Sequence, residues 1–198
     1  MKTTKAYFNE KADSWDSKAA EKDKLKLQHM ADRLYIKSGA TVIDVGTGTG
    51  IFLPYLLQKT GIYGKIIALD IAEMMLLKAK SKHIAVNIDF ICSDVVALPF
   101  PDEICDAVVC YSCLPHFSNK LQAILEMKRA LKRGGQVFFC HTSSRQYINS
   151  IHKEIPGMQD HLLPDAIEMM EMLAKAGFTN IKVEDKIDSY FACALKKI

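Results

Sequence analysis

In the stretch VIDVGTGTG an acid, Asp44, stands just ahead of three closely spaced glycines, Gly46, Gly48 and Gly50. Val42, Ile43 and Val45 are β-branched and read as a buried strand, while IFLPYLLQK beyond the glycines reads as a helix. Glycine at such a turn admits positive φ and lets a ligand reach the main chain, and the helix that follows offers unpaired N–H groups to a polar group. Two further acids close later apolar runs: Asp70 ends KIIALD, and Ser93 with Asp94 ends the run that begins IDFIC. A carboxylate placed like Asp70 accepts two hydrogen bonds from ribose hydroxyls, and Asp94 stands where an adenine edge would lie. Together these residues suit a nucleoside that carries no phosphates. A dinucleotide turn, GxGxxG, would need glycine at position 51, which is Ile51, and no GK[ST] follows the glycines as a P-loop requires.

Such residues need a frame that gathers the ends of several strands. Strand-like runs fall at TVIDV (41–45), KIIALD (65–70), IDFICS (88–93), DAVVCYS (106–112) and GQVFFCHT (135–142), with helical runs between most of them. That alternation predicts a parallel sheet with helices on both faces. Leu27, Met30, Ala31 and Leu34 recur at helical spacing ahead of the first strand, and LPDAIEMMEMLAKAGF reads as a helix that Gly177 stops. NIKVED and YFACALK then follow with only KIDS between them, too short for a crossover, so they pair as an antiparallel hairpin. Ligands of open α/β sheets sit beyond the carboxyl ends of the strands. Tyr111 to Phe117 and His141 to Asn149 therefore join the glycines and acids as site candidates.

The 198 residues, 49% hydrophobic and 25% charged, suit one domain with its own core. A net charge of +3 comes from 26 basic and 23 acidic residues, and the lysines are scattered among acids, which argues against a nucleic-acid partner. The six cysteines lie mostly in apolar runs and read as reduced core residues. No apolar leader opens the chain and no run is long enough to span a bilayer, so the expectation is a soluble, cytoplasmic protein.

The chain resembles the class I, Rossmann-like S-adenosylmethionine-dependent methyltransferases of the small-molecule type, the group that includes the ubiquinone and menaquinone biosynthesis methyltransferases. The resemblance runs from YFNEKADSWD through VIDVGTGTG, IIALDIAEMM, SDVVALPFPDEICDAVVCYSCLPHF and ALKRGGQVFF to LAKAGF. It implies a three-layer α/β sandwich around a seven-stranded, mostly parallel sheet of order 3-2-1-4-5-7-6 with strand 7 antiparallel. S-adenosyl-L-methionine is the implied cofactor. Asp44, Gly46, Thr47, Gly48 and Gly50 are then expected along its methionine part, Asp70 on the ribose, Ile71 and Met74 flanking the adenine, and Ser93, Asp94 and Val95 at the adenine edge, with Cys110 nearby. Residues 1–38 are expected to form an N-terminal lid and helix, 39–142 the cofactor-binding core, and 143–198 the acceptor-side helices and C-terminal hairpin, within a single methyltransferase domain.

A sulfonium methyl group is already activated, so transfer needs mainly alignment, helped by a base where the acceptor must lose a proton. His116 in CLPHF and His141 after the fifth strand are the candidate catalytic histidines. Tyr7 and Trp15, the only tryptophan, are candidate acceptor contacts in the lid, with packing of an N-terminal helix as the alternative. On a helix starting near Ser144, Arg145, Asn149 and His152 share one face, which suggests an anionic acceptor gripped by Arg145; a solvated polar face is the alternative. No [DNS]PP[YFW] follows the fourth strand, and no acid stands at its end, so the expected acceptor is a small molecule and no magnesium is required. Cys110 and Cys113 form a lone CxxC without the second pair that structural zinc sites draw on, so no metal is expected, a site completed by His141 or His152 being the alternative. A protein that binds S-adenosylmethionine without turnover, as a sensor or assembly factor, is the rival functional reading.

Overall fold

The computed structural model describes residues 3–18 and 23–198, so positions 1–2 and 19–22 of the expected lid segment lie outside the described residues. Helix α1 (Thr4–Lys11) leads through a 3-10 turn (Ala12–Ser14) into the short α2 (Trp15–Lys18), and α3 (Lys24–Asp32) precedes the sheet. The sheet strands are β1 (Thr41–Val45), β2 (Lys65–Asp70), β3 (Ile88–Cys92), β4 (Cys105–Tyr111), β5 (Leu131–His141), β6 (Phe178–Asp185) and β7 (Tyr190–Lys196). Between them lie α4 (Leu53–Thr60), α5 (Glu73–Lys82), α6 (Lys120–Ala130), α7 (Arg145–Glu154) and α8 (Ala166–Lys175).

The strand order is β3-β2-β1-β4-β5-β7-β6, with β7 antiparallel to both β5 and β6. This is the predicted order, and the hairpin closes through a Lys186 N–H to Ser189 carbonyl bond of 2.9 Å. The fifth strand begins at Leu131, earlier than expected, because Leu131 pairs with Cys105 before the register shifts on the way to the Ala107–Gln136 pair. Gly134, at φ 74°, lies in that irregular stretch.

Alternate strand residues feed two apolar layers. Ile43, Val45, Val108 and Phe139 pack with Ile124 and Met127 of α6 and Met169 and Leu173 of α8. Val42, Ala68, Val109 and Phe138 pack on the opposite side with Leu27 and Met30 of α3 and Leu53 and Leu56 of α4. Burial on both faces is why the central strands read as continuous apolar runs. Capping follows the sequence signals: Asp165 and Glu168 form a reciprocal capping box at α8, and Ser144 caps α7.

The loop that follows the third strand's acids is held from α6 by one side chain. Arg129 donates to the Leu98 and Phe100 carbonyls at 3.0 and 2.7 Å and to the carboxylates of Glu126 and Asp102, while Glu126 also accepts the Leu98 N–H. Arg129→Ala strips two carbonyls of their donors and is expected to lower unfolding stability by about 2 kcal/mol in urea titrations. Arg129→Lys should recover only part of that loss, since an ammonium lacks the planar fork.

Candidate functional site

The carboxyl ends of β1, β2, β4 and β5 open into one chamber of about 580 Å³, roofed by α1 and α2. Its cofactor-side wall is the glycine turn and the acids. Asp70 accepts the Gly48 N–H on Oδ2 and the Ala72 N–H on Oδ1, both at 2.8 Å, and stays 8% exposed on the chamber. A carboxylate with two backbone bonds keeps lone pairs for a ligand's hydroxyls. Burial pushes its pKa up, and the Ala72 and Gly48 N–H groups pull against that rise. Ile71, Ser93, Asp94 and Val95 continue the wall, and Asp94 accepts the Val96 N–H at 3.1 Å to start a 3-10 turn.

The three glycines serve different ends. A Cβ on Gly46 would lie 2.5 Å from the Cys113 Cβ and Sγ, so this position lets the β4 loop close onto the turn. A Cβ on Gly48 would meet only the Gly46 carbonyl, at 4.0 Å, and Gly48 lines the chamber, so its bareness leaves room for a ligand. Gly50 does not line the chamber; a Cβ there would strike the His83 ring at 2.7 Å, so its role is to pack the turn on α5 rather than to touch a ligand.

The lid rests on α5. Asn9 accepts the Met74 N–H at 3.0 Å, Asp13 pairs with Lys78 at 2.7 Å, and Asp16 accepts the Thr49 hydroxyl and pairs with Lys82. Tyr7, Phe8 and Trp15 face the chamber, and the Phe8 ring meets Trp15 and His116 edge to face at 5.4 and 4.9 Å. His116 and His141 both line the chamber, His141 at the end of β5 and His116 in the turn after β4. Burial, then the neighbouring His152, His161, His141 and Lys120, hold the His116 pKa well below the ordinary 6.5.

Several expected contacts fall elsewhere. Met74 is 40% exposed, and Met75 lines the chamber instead, because α5 turns Met75, Leu76 and Ala79 inward. Cys110 is wholly buried below the surface with its Sγ 3.0 Å from that of Cys113, and Cys113 is the cysteine that borders the chamber, its thiol bonded to the Val45 carbonyl at 2.9 Å. Arg145 does not face the chamber: its Nε lies 2.5 Å from Asp185 at the end of β6. Asn149 also points away, exchanging two hydrogen bonds with the Leu163 backbone. Of that helix it is Tyr147, Ile148, Ile151 and His152 that line the chamber, so α7 presents an apolar stripe with His152 at its border. Ser112, at φ 56°, and Phe117 line the chamber as members of the expected Tyr111–Phe117 run, whereas sequence reasoning missed Ile155 and Met158. Among the described residues, no three His, Cys, Asp or Glu side chains gather in a way that could hold a metal ion.

Residues 43–139 match the family described as Methyltransferase domain. The chain is 28% identical over 188 residues to a demethylmenaquinone methyltransferase of Staphylococcus haemolyticus, covering 82% of this chain and 78% of that protein. It is 31% identical over 133 residues to the ubiquinone/menaquinone biosynthesis C-methyltransferase UbiE of Escherichia fergusonii, covering 65% of this chain and 53%, about half, of that relative's length. A solved S-adenosylmethionine-dependent methyltransferase from Aquifex aeolicus superposes with a TM-score of 0.74 at 23% identity, covering 95% of this chain and 98% of the other. In core sequence and in fold the chain is similar to the class I S-adenosylmethionine-dependent methyltransferases.

The residues of this methyltransferase fit its cofactor. Asp44, 1% exposed at the end of β1, leaves Oδ2 buried without a partner, and the Thr47 hydroxyl is likewise unpartnered although Thr47 lines the chamber. Polar atoms so placed gain from a polar ligand that supplies the missing bonds. Burial pushes the Asp44 carboxyl from 3.8 up to about 7, with the nearby Thr47 hydroxyl opposing the rise and the charge of Asp70 adding to it. Folding therefore takes up a proton here between about pH 4 and pH 7, and the stability it brings is full below that window and lost as pH rises through it. Asp44→Asn is expected to melt several degrees above wild type near pH 8 without cofactor and to lose that margin near pH 5, as thermal melts would show.

The glycines give a second expectation. Gly48→Ala should fold at a cost of about 1 kcal/mol for its left-handed backbone, yet lose most cofactor affinity in calorimetry. Gly46→Ala should instead fail first in thermal stability, because Cys113 cannot withdraw from a backbone-anchored bond.

Proposed function

We propose that this protein methylates a small, largely apolar molecule with a conjugated or aromatic ring, of the ubiquinone or menaquinone type that its relatives' names describe. The observation that carries the reading is the single chamber with two unlike walls. Gly48, Asp70 and Asp94 line it together with the apolar Phe8, Phe117, Ile148, Ile151 and Met158, and the Phe8 ring meets His116. Such a lining favours a flat apolar body, and with Arg145 committed to Asp185 no arginine among the described residues lines the chamber, whose cations are Lys5 and Lys11 of the N-terminal helix.

When bound, S-adenosylmethionine supplies a methyl group already activated by its sulfonium. Asp70 holds the ribose hydroxyls, Asp94 and Val95 meet the adenine edge, and Asp44 with Thr47 receives the polar methionine end. Phe8, Trp15 and Tyr7 of the lid exclude water and press the acceptor into line, which supplies the largest share of the rate. His116, neutral near pH 7, accepts the proton that the acceptor's ring carbon or hydroxyl releases. No acid stands at the end of β4, where Tyr111 and Ser112 follow one another, and the proposed reaction runs without magnesium. We place it in a single domain, in a reducing compartment such as the cytoplasm, with all six cysteines free; among the described residues no helix is long and apolar enough to cross a membrane.

Incubation with labelled S-adenosylmethionine and a panel of demethylated quinols and phenols should transfer label to at least one. Binding of cofactor with no transfer to any member or to a metabolite extract would favour a sensor without turnover. Asp70→Asn is expected to weaken S-adenosylhomocysteine binding by about tenfold or more, or 1.4 kcal/mol, in calorimetry. His116→Gln should leave that affinity intact and lower kcat by about a hundredfold or more. In the wild type, kcat/KM should climb with pH and level off below about pH 6.5, because the depressed His116 is already the free base there.

A further inference from the structure

The chamber has a neighbour. A second cavity of about 480 Å³ lies under α1 beside the link between α7 and α8, and His161 lines it. His161 does not line the first chamber and His116 does not line the second, yet their Nδ1 atoms are 3.0 Å apart. Two imidazoles in hydrogen-bond contact thus stand where the two spaces adjoin. His161 is fixed in place from several sides: its carbonyl accepts the His152 Nδ1–H at 2.5 Å, its N–H reaches the Met158 carbonyl at 2.9 Å, and Asn149 clamps Leu163 two residues on. Two of the side chains expected from sequence to grip an acceptor, Asn149 and His152, therefore hold the His161 segment against His116.

We propose that His116 and His161 form a two-imidazole relay that carries a proton from the acceptor chamber to the second cavity; this rests on the reading of His116 as the base. An Nδ1–Nδ1 bond requires one ring to donate and the other to accept. For Nε2 of His116 to take a proton, its Nδ1 carries the hydrogen and His161 Nδ1 accepts. The acceptor's bond to hydrogen breaks as the His116 Nε2–H bond forms. The His116 Nδ1–H proton then passes to His161 Nδ1, and the His161 Nε2–H proton leaves to water. Each ring ends neutral with its tautomer reversed, and a return flip of both rings or a proton passing back through the pair restores the start. Phe8 covers the His116 ring on the chamber side, so the route through His161 gives the proton a way out that bypasses the Phe8 ring. The charged and titratable groups facing the pair are His152, His141 and Lys120 around His116, and Lys120 and Asp160 around His161. Burial, the other imidazoles around His116, and Lys120 lower both rings below 6.5 against an upward pull of Asp160 on His161, so both are neutral near pH 7 and free to exchange roles.

The test uses full-length protein with ¹⁵N-labelled histidine, bound to S-adenosylhomocysteine, and reads imidazole tautomers, coupling across the Nδ1–Nδ1 bond, and exchange of the His116 ring protons with water by NMR. Wild type should show His116 as the Nδ1–H tautomer with a coupling to His161. His161→Gln, whose amide oxygen still accepts the bond and holds the ring, should slow exchange by about tenfold or more. His161→Ala should slow it likewise and recover on addition of free imidazole. Exchange as fast in His161→Gln as in wild type, or His116 found as the Nε2–H tautomer, would overturn the relay. Calorimetry of S-adenosylhomocysteine on the same samples separates the cases: intact binding with unchanged exchange sinks the relay alone, whereas no binding in wild type sinks the methyltransferase reading.

Discussion

Asp70 accepts the Gly48 N–H on one oxygen and the Ala72 N–H on the other, and much else hangs from those two bonds. The first sets the glycine turn after β1 at the height of the end of β2; the second starts α5, the helix on which the lid lies. Removing this carboxylate from water is costly, and only its backbone donors and a hydroxylated ligand offset the cost. A residue that shapes the turn, the helix start and the ligand site at once leaves little latitude for substitution. Beside it Asp44 and Thr47 are buried with polar atoms that lack hydrogen-bond partners, which the polar end of a ligand would satisfy.

Features read from sequence succeed where they depend on one strand or one turn. The order of apolar runs and the short KIDS link required the antiparallel hairpin, and the sheet has it. The glycines and Asp70 were legible because a strand end has few uses for such residues other than a turn or a ligand. Reading failed where the phase of a helix or contact between distant segments decides. Met74 and Met75 are indistinguishable by type, and only the seating of α5 on Ala12 and Ala72 selects the second. Arg145, Asn149 and His152 do share a helical face, but that face meets β6 and the α7–α8 link, a packing choice that no local spacing encodes. His161 carries no local signal at all, for its partner is 45 positions away.

The proposed acceptor wall differs in character from the wall of glycines and acids. Fixed hydroxyls and an amine on a ligand reward placed carboxylates, whereas an apolar ring rewards shape and dryness. Isoleucine, methionine and phenylalanine along α7 and the lid leave no pattern apart from ordinary core packing, which is why this wall is silent in sequence and plain in the structure.

Among the described residues the N-terminal segment packs Phe8, Ala12 and Trp15 on Ala72 and Met75, and Asn9, Asp13 and Asp16 fasten it to α5 and the glycine turn. Exposed pairs of that sort hold by about 0.2 to 1 kcal/mol each and fade as counterions crowd in. A cover fastened this way loosens as the ionic strength of the medium rises, so salt tunes how readily the chamber beneath it opens.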